Sequence, residues 1–93
     1  MTTPSVVNCP AGQWTLIASG ATSAIGIQFR NKLASGLILP TSSSTSPAAK
    51  NDGQGWFDLA GYEPLHNLAA SSSDYWWFQP NGAAALTLAV WVA

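Results

Sequence analysis

Few side chains in this sequence have the chemistry that catalysis requires. The chain has one histidine, His66, and four carboxylates. Asp58, Glu63 or Asp74 could orient the ring of His66 in a Ser–His–acid triad. However, no G-x-S-x-G segment supplies the nucleophile, and serine is so abundant that a serine near the histidine carries little information. We therefore predict no catalytic residue and interpret His66 as a loop residue that is hydrogen-bonded to nearby backbone. A small hydrolase that uses His66 stays a third interpretation.

Other kinds of chemical site have equally little support in the sequence. Glycoside hydrolysis needs two carboxylates that face each other across a sugar, and Asp58 and Glu63 are the only plausible pair. We interpret both as solvated loop acids. The single histidine, the single cysteine and the scattered acids lack the spacing of zinc or calcium ligands, so no metal and no cofactor is predicted. Cys9 is alone, which excludes an internal disulfide, and we interpret it as a buried thiol.

The composition is poor in charge and rich in tryptophan. Charged residues make up 8% of the chain, whereas five of its 93 residues are tryptophan; an average soluble domain is roughly a quarter charged. Arg30, Lys32 and Lys50 are the only fixed cations and cannot supply the phosphate contacts on which nucleic-acid binding depends. The longest apolar run, residues 83–93, is about half the length of a membrane-spanning helix. We therefore expect neither nucleic acid nor a membrane as a partner.

The pattern of apolar residues predicts an all-β fold. No helical stripe persists, and Gly, Pro and Ser interrupt the chain at short intervals. Residues 24–30 alternate, with Ile25, Ile27 and Phe29 on one face. In the last strand Leu86, Leu88, Val90 and Val92 share one face, and Thr87, Ala89 and Trp91 the other. Further strands are predicted at residues 13–18, 36–39, 55–59 and 75–79, with 65–69 uncertain.

These strands predict one small antiparallel β-sandwich or barrel-like domain over residues 1–93, with about six to eight strands. Residues 1–12 are predicted to form an N-terminal arm, and residues 40–53 a long polar loop. Pro80, Asn81 and Gly82 predict a tight turn that would pair residues 75–79 with the last strand in a C-terminal hairpin.

The aromatic residues carry the functional hypothesis. In residues 75–78, adjacent rings must point to opposite faces of a strand, so either Trp76 and Phe78 or Tyr75 and Trp77 face inward. Outward rings, together with Trp91, could form a flat platform that buries against another subunit, is covered internally, or stacks on a sugar. The predicted contact residues are Trp56, Tyr75, Trp77 and Trp91, with Thr41, Ser44 and Pro47 of the loop at 41–47 as a second attachment surface.

Several segments together resemble a known layout. They are residues 13–17 (QWTLI), 27–31 (IQFRN), 37–40 (LILP), the Ser/Thr/Pro-rich loop at 42–47, residues 53–56 (GQGW) and the closing apolar strand. In this order the chain resembles the small β-sandwich proteins of tailed bacteriophages that decorate or cement capsids or form head fibres.

The resemblance implies a non-enzymatic structural protein of the virion. It implies docking on the major capsid protein or another virion protein, and self-association, often as a trimer. The first residues lack the features of a secretory signal, so we expect synthesis in the host cytoplasm and a final location on the virion. The alternative left open is a carbohydrate-binding or receptor-binding module that uses exposed Trp and Tyr rings.

Overall fold

A computed structural model describes residues 5–30, 34–45, 57–60, 66–82 and 84–92. Within these ranges the regular structure consists of eight strands: β1 (Ser5–Cys9), β2 (Thr15–Ser19), β3 (Ala24–Phe29), β4 (Ser35–Thr41), β5 (Phe57–Ala60), β6 (His66–Ala69), β7 (Tyr75–Pro80) and β8 (Leu86–Val92). The described ranges contain no helix that is long and apolar enough to cross a membrane.

The strands form two antiparallel sheets of four. Sheet I has the order β1-β8-β3-β6, and sheet II has the order β2-β7-β4-β5. The pairs β1–β8, β2–β7, β3–β6 and β4–β5 are nested, as in one long hairpin, and the further pairs β3–β8 and β4–β7 form where this hairpin winds on itself. This is the strand order of an eight-stranded jelly roll. The predicted all-β sandwich is confirmed.

The core lies between the two sheets and follows the period-two alternation of the strands. Ile25, Ile27 and Phe29 of β3 face this core, as predicted, and Leu88 and Val90 of β8 pack against them. Phe78 of β7 is fully buried and meets Phe29 edge to face, with ring centroids 5.5 Å apart. Aromatic side chains therefore supply much of the packing in a chain with few aliphatic residues.

A β-bulge interrupts strand β2. Leu16 is paired with Trp77 and Ala18 with Trp76, so Ile17 is an extra residue without a partner on β7. The bulge lets Ile17 and Ala18 both enter the core, although they are neighbours in sequence.

The predicted C-terminal hairpin is wrong. β7 lies between β2 and β4 in sheet II, whereas β8 lies between β1 and β3 in sheet I. Neither Asn81 nor Gly82 has the positive φ that a two-residue hairpin turn requires. Instead, the backbone N–H of Asn81 donates to the carbonyl of Ser35 (3.1 Å) and its side-chain amide to the Ser35 hydroxyl (2.9 Å). The segment after β7 is thus tied to β4 and leads from one sheet to the other.

Other boundaries differ from the predictions in smaller ways. Residues 5–9, predicted as part of an N-terminal arm, form β1, which pairs with β8 along its whole length. The predicted polar loop at 40–53 begins later, because Pro40 and Thr41 belong to β4. The rest of that loop from residue 46 onward lies outside the described residues. His66 is on strand β6 and not in a loop.

Candidate functional site

The outer face of sheet II carries a second apolar cluster. Along β7, Trp76 and Phe78 face the core between the sheets, whereas Trp77 belongs to a cluster on the opposite face with Trp14, Leu37 and Leu39. Tyr75 packs against this cluster and is half-buried. Of the two orientations that the sequence allows, β7 thus adopts the one with Tyr75 and Trp77 turned away from the main core.

A hydrogen bond connects two of the predicted contact residues on this face. The indole Nε1 of Trp77 donates to the hydroxyl of Thr41 at 3.0 Å, and that hydroxyl donates to the carbonyl of Ser43 at 3.0 Å. Thr41 is also paired with Tyr75 across strands β4 and β7. The structure therefore brings Thr41, Tyr75 and Trp77 together, although they come from two distant parts of the sequence.

Trp77 is nevertheless closed off from solvent. It is only 5% exposed, because it packs among Trp14, Leu37 and Leu39. The expectation of an open contact ring at this position is not met in the isolated chain. On this face, Tyr75 and Thr41 are the predicted contact residues that keep partial exposure.

Trp91 lies on the other side of the molecule, on the outer face of sheet I. Along β8, Leu88 and Val90 face the core, so Trp91 and Ala89 face away from it, as predicted. Trp91 is half-buried and is paired with Gly26 of β3. Because Trp77 and Trp91 lie on opposite outer faces, the two rings cannot form the single flat platform that the hairpin implied.

Two neutral polar side chains share this sheet face with Trp91. Asn67 of β6 is paired with Gly26 from the other side, and Gln28 is two residues further along β3. Both side chains are exposed. Trp91 thus lies on a sheet face that also carries two exposed amides, which can both donate and accept hydrogen bonds.

Two edge strands on one side of the sandwich expose apolar side chains. β1 is an edge of sheet I and β2 an edge of sheet II, and they lie on the same side because β1 contacts β7 and β2 contacts β8 across the core. Within the described residues, the large apolar side chains that stay exposed are Val6 on β1, at 64%, and Leu16 on β2, at 41%.

These two edges also lack charge. The first 29 residues of the sequence contain no Asp, Glu, Lys, Arg or His. Natural proteins commonly protect exposed sheet edges with charged side chains, especially lysine. Sequence reasoning did not select Val6 or Leu16 as contact residues. The signal was the absence of charge from both strands, combined with a large apolar residue on each.

The side chains of His66 and Asp74, which were considered for catalysis, make contacts that support the fold. The ring of His66 meets Phe29 edge to face, with centroids 5.8 Å apart. The carboxylate of Asp74 accepts a hydrogen bond from the backbone N–H of Ser71 at 2.9 Å and closes a turn. Among the described residues, no three His, Cys, Asp or Glu side chains are grouped as a metal site would require. Asp58 lies on strand β5 and not in a loop as predicted, whereas its side chain and the whole of Glu63 lie outside the described structure.

Cys9 is a free thiol in the core. It is fully buried, as predicted, and burial raises the pKa of the thiol from 9.0 to about 11. The nearby Thr15 hydroxyl, whose geometry falls short of a regular hydrogen bond, opposes part of this rise.

The remaining predicted contact residues are distributed around the molecule. Ser44 is exposed in the segment that follows β4, where the N–H of Thr45 donates to the Ser43 hydroxyl at 3.1 Å. Trp56 and Pro47 lie outside the described residues.

Comparison with known proteins finds no match: no protein-family model, no curated protein and no solved structure is significantly similar to this chain.

Proposed function

We propose that this chain is a non-enzymatic structural protein of a bacteriophage virion that docks on the major capsid protein or another virion protein. The observation that carries the proposal is the exposure of Val6 and Leu16 on two uncharged edge strands at the same side of the sandwich. Unprotected edges tend to pair with further strands, and a chain in which 8% of the residues are charged loses little charge hydration when another protein covers it. Both properties favour a protein that functions within a larger assembly.

The fold is compatible with this role. Double-sheet jelly rolls occur in viral capsid proteins, and also in lectins and cupins, so the strand order alone does not decide between these functions. The resemblance of the sequence to capsid-decorating and head-fibre proteins favours the virion. In this role Thr41, Tyr75 and Ser44 provide a second, hydroxyl-rich contact surface on sheet II.

Two measurements test the virion proposal. Mass spectrometry of purified particles made by the genome that encodes the chain is expected to detect it in many copies. Purified chain is expected to sediment with particles that lack it, and Val6→Lys or Leu16→Lys to weaken this binding, whereas Ser73→Lys, at an exposed turn outside both edge strands, serves as a matched control. Absence of the chain from the particles, together with a failure to sediment with them, contradicts the proposal.

A second candidate function is the binding of a neutral carbohydrate by the outer face of sheet I. The observation in its favour is the half-buried ring of Trp91 beside Gly26, with the exposed amides of Gln28 and Asn67 near it. Aromatic rings stack on apolar sugar faces, and amides can both donate and accept hydrogen bonds with hydroxyls.

A glycan panel distinguishes the second candidate from the first. Sugar binding is expected to change the tryptophan fluorescence of the native chain, to disappear in Trp91→Ala and to persist in Trp91→Phe, which keeps an aromatic ring. Thr87→Ala, on the same face of β8, serves as the control. Lack of binding across the panel removes this candidate and leaves the virion proposal standing.

A further inference from the structure

We infer that β1 is a self-association site, at which Ser5–Cys9 of one copy pairs antiparallel with the same strand of a second copy. Two copies of sheet I then join into one continuous eight-stranded sheet across a two-fold axis. The inference deepens the proposed function and rests on it, because it assigns one contact surface of the assembling protein and its occupant.

β1 is an edge strand of sheet I. Among the described residues, β1 pairs with β8 on one side only, from Ser5 opposite Val90 to Cys9 opposite Leu86, without a register shift. Its other side therefore presents a regular row of N–H and C=O groups. Pro4 and Pro10 flank the strand in the sequence. Because proline has no N–H, they limit a paired segment to about the five residues between them.

β1 differs from the other edge strands in its regular backbone and its lack of ionisable side chains. The bulge at Ile17 breaks the regular edge of β2, and bulges are a known means of protecting edges. The edge strand β6 contains the ionisable residue His66, and the edge strand β5 contains Asp58. Of the four edge strands in the described part of the chain, β1 alone combines a continuous register with a strand sequence that has no His, Asp, Glu, Lys or Arg.

The uncharged sequence of β1 suits pairing with a second copy of itself. Like charges directly opposite each other destabilise a strand pair, and two copies of β1 bring no such charges together. A strand that pairs antiparallel with itself forms an interface in which the same patch is used twice, as in a two-fold dimer. Val6, which is 64% exposed in the single chain, would be covered.

The register follows from the length of the strand. In an antiparallel pair, residues that are directly opposite point to the same face of the sheet. The two-fold axis must therefore lie between one residue and the same residue of the second copy. Centring it on Val7 uses all five residues of β1, more than any other choice. Val6 of each copy then lies opposite Asn8 of the other copy.

Light scattering and cysteine cross-linking of the full chain test this arrangement. The native chain is expected to be a dimer that dissociates on dilution. The double variant Val6→Cys/Asn8→Cys is expected to form intermolecular disulfides on mild oxidation, whereas Val6→Cys alone and Leu16→Cys are not. The native thiol of Cys9 does not interfere, because it is fully buried.

A charge variant supplies a second readout. Val6→Lys/Asn8→Lys places lysines opposite each other and is expected to weaken the dimer about tenfold or more. Val6→Thr/Asn8→Thr is the matched neutral control and is expected to keep it, because threonine suits a strand. Circular dichroism verifies that each variant keeps its β-structure.

The outcomes separate this inference from the proposed function. A native chain that is monomeric at every concentration, or a dimer that Leu16→Cys cross-links and the double cysteine variant does not, overturns the inference. Cross-linking of Val6→Cys alone as fast as the double variant overturns the Val7-centred register. A monomer that still binds phage particles overturns only this inference, whereas a dimer that is never found in particles overturns only the virion proposal.

Discussion

Replacing Gly36 by alanine is expected to destabilise the fold, although alanine is normally better tolerated than glycine inside a strand. Gly36 is buried on β4 and has an ordinary strand conformation. A methyl group at this position would lie 2.6 Å from Cε1 and 2.9 Å from Cε2 of Phe78, and would also collide with Cζ of the same ring. The ring cannot move freely, because Phe78 is fully buried and packs edge to face on Phe29.

The size of this effect follows from the overlap. Inserting a methyl group into a well-packed core typically costs about 1–3 kcal/mol, and three ring atoms within reach of the new carbon place Gly36→Ala in the upper half of that range. For a domain of this length, about 2 kcal/mol corresponds to a decrease in Tm of roughly 8–16 °C. Gly82→Ala is the matched control, because nothing lies within 4 Å of its added methyl group and its φ is not positive. It is expected to leave the stability nearly unchanged.

Thermal and urea unfolding, followed by tryptophan fluorescence at one fixed protein concentration, measure both variants. The double variant Gly36→Ala/Phe78→Leu, compared with Phe78→Leu alone, completes a double-mutant cycle. Because the smaller leucine leaves room for the methyl group, Gly36→Ala is expected to lower the stability less in the Phe78→Leu variant than in the native chain. If Gly36→Ala is as stable as the native chain, or if its cost is the same with leucine at position 78, the packing of β4 against β7 described above is wrong.

Three further predictions concern local interactions. Burial in the folded chain raises the pKa of the Cys9 thiol from 9.0 to about 11, so the folded state holds this proton more tightly than the unfolded state. The free energy of unfolding is therefore expected to fall as the pH rises from about 9 to about 11. Urea titrations across this range should show a smaller fall in Cys9→Ala. Trp77→Phe is expected to cost at least about 1 kcal/mol, through loss of the hydrogen bond to Thr41 and of buried ring volume, and Thr41→Val to cost less in the Trp77→Phe background than in the native chain, whereas additive costs would contradict the bond. Asp74→Ala is expected to speed amide exchange at Ser71, whose N–H the carboxylate accepts, and unchanged exchange there would contradict that contact.

The strand alternation was predictable because it depends on local sequence. The period of two in residues 24–30 and 86–92 identifies the buried faces of β3 and β8 without knowledge of their partners. The same rule places Trp76 and Trp77 on opposite faces of β7. Each of these predictions needs only the pleat of a strand and the preference of apolar side chains for the core.

The pairing of strands was not predictable in the same way. Pro80, Asn81 and Gly82 indicate a change of chain direction, but a turn does not specify whether the next strand pairs in the same sheet or packs in the opposite one. Here the apolar faces of β7 and β8 meet across the core. β8 pairs with β1 from the other end of the chain, and this non-local contact leaves no local signal in the sequence.

The burial of Trp77 also depends on residues that are distant in sequence. Trp14 precedes β2, whereas Leu37 and Leu39 come from β4, and only the sheet order β2-β7-β4 brings them around the ring. The exposure of Val6 follows from the same kind of information. A strand sequence tells which residues share a face, but the position of that strand at an edge is a property of the whole sheet.

The central claim is that the uncharged β1 edge is covered by another chain in the working protein. Backbone hydrogen exchange of the native chain, compared between dilute and concentrated solution, tests it most directly. We predict that the amides of residues 5–9 become protected as the chain associates, while those of the opposite edge strand, residues 66–69, exchange at the same rate in both. Equal exchange of residues 5–9 in the two solutions, or protection that appears at residues 66–69 instead, would contradict the claim.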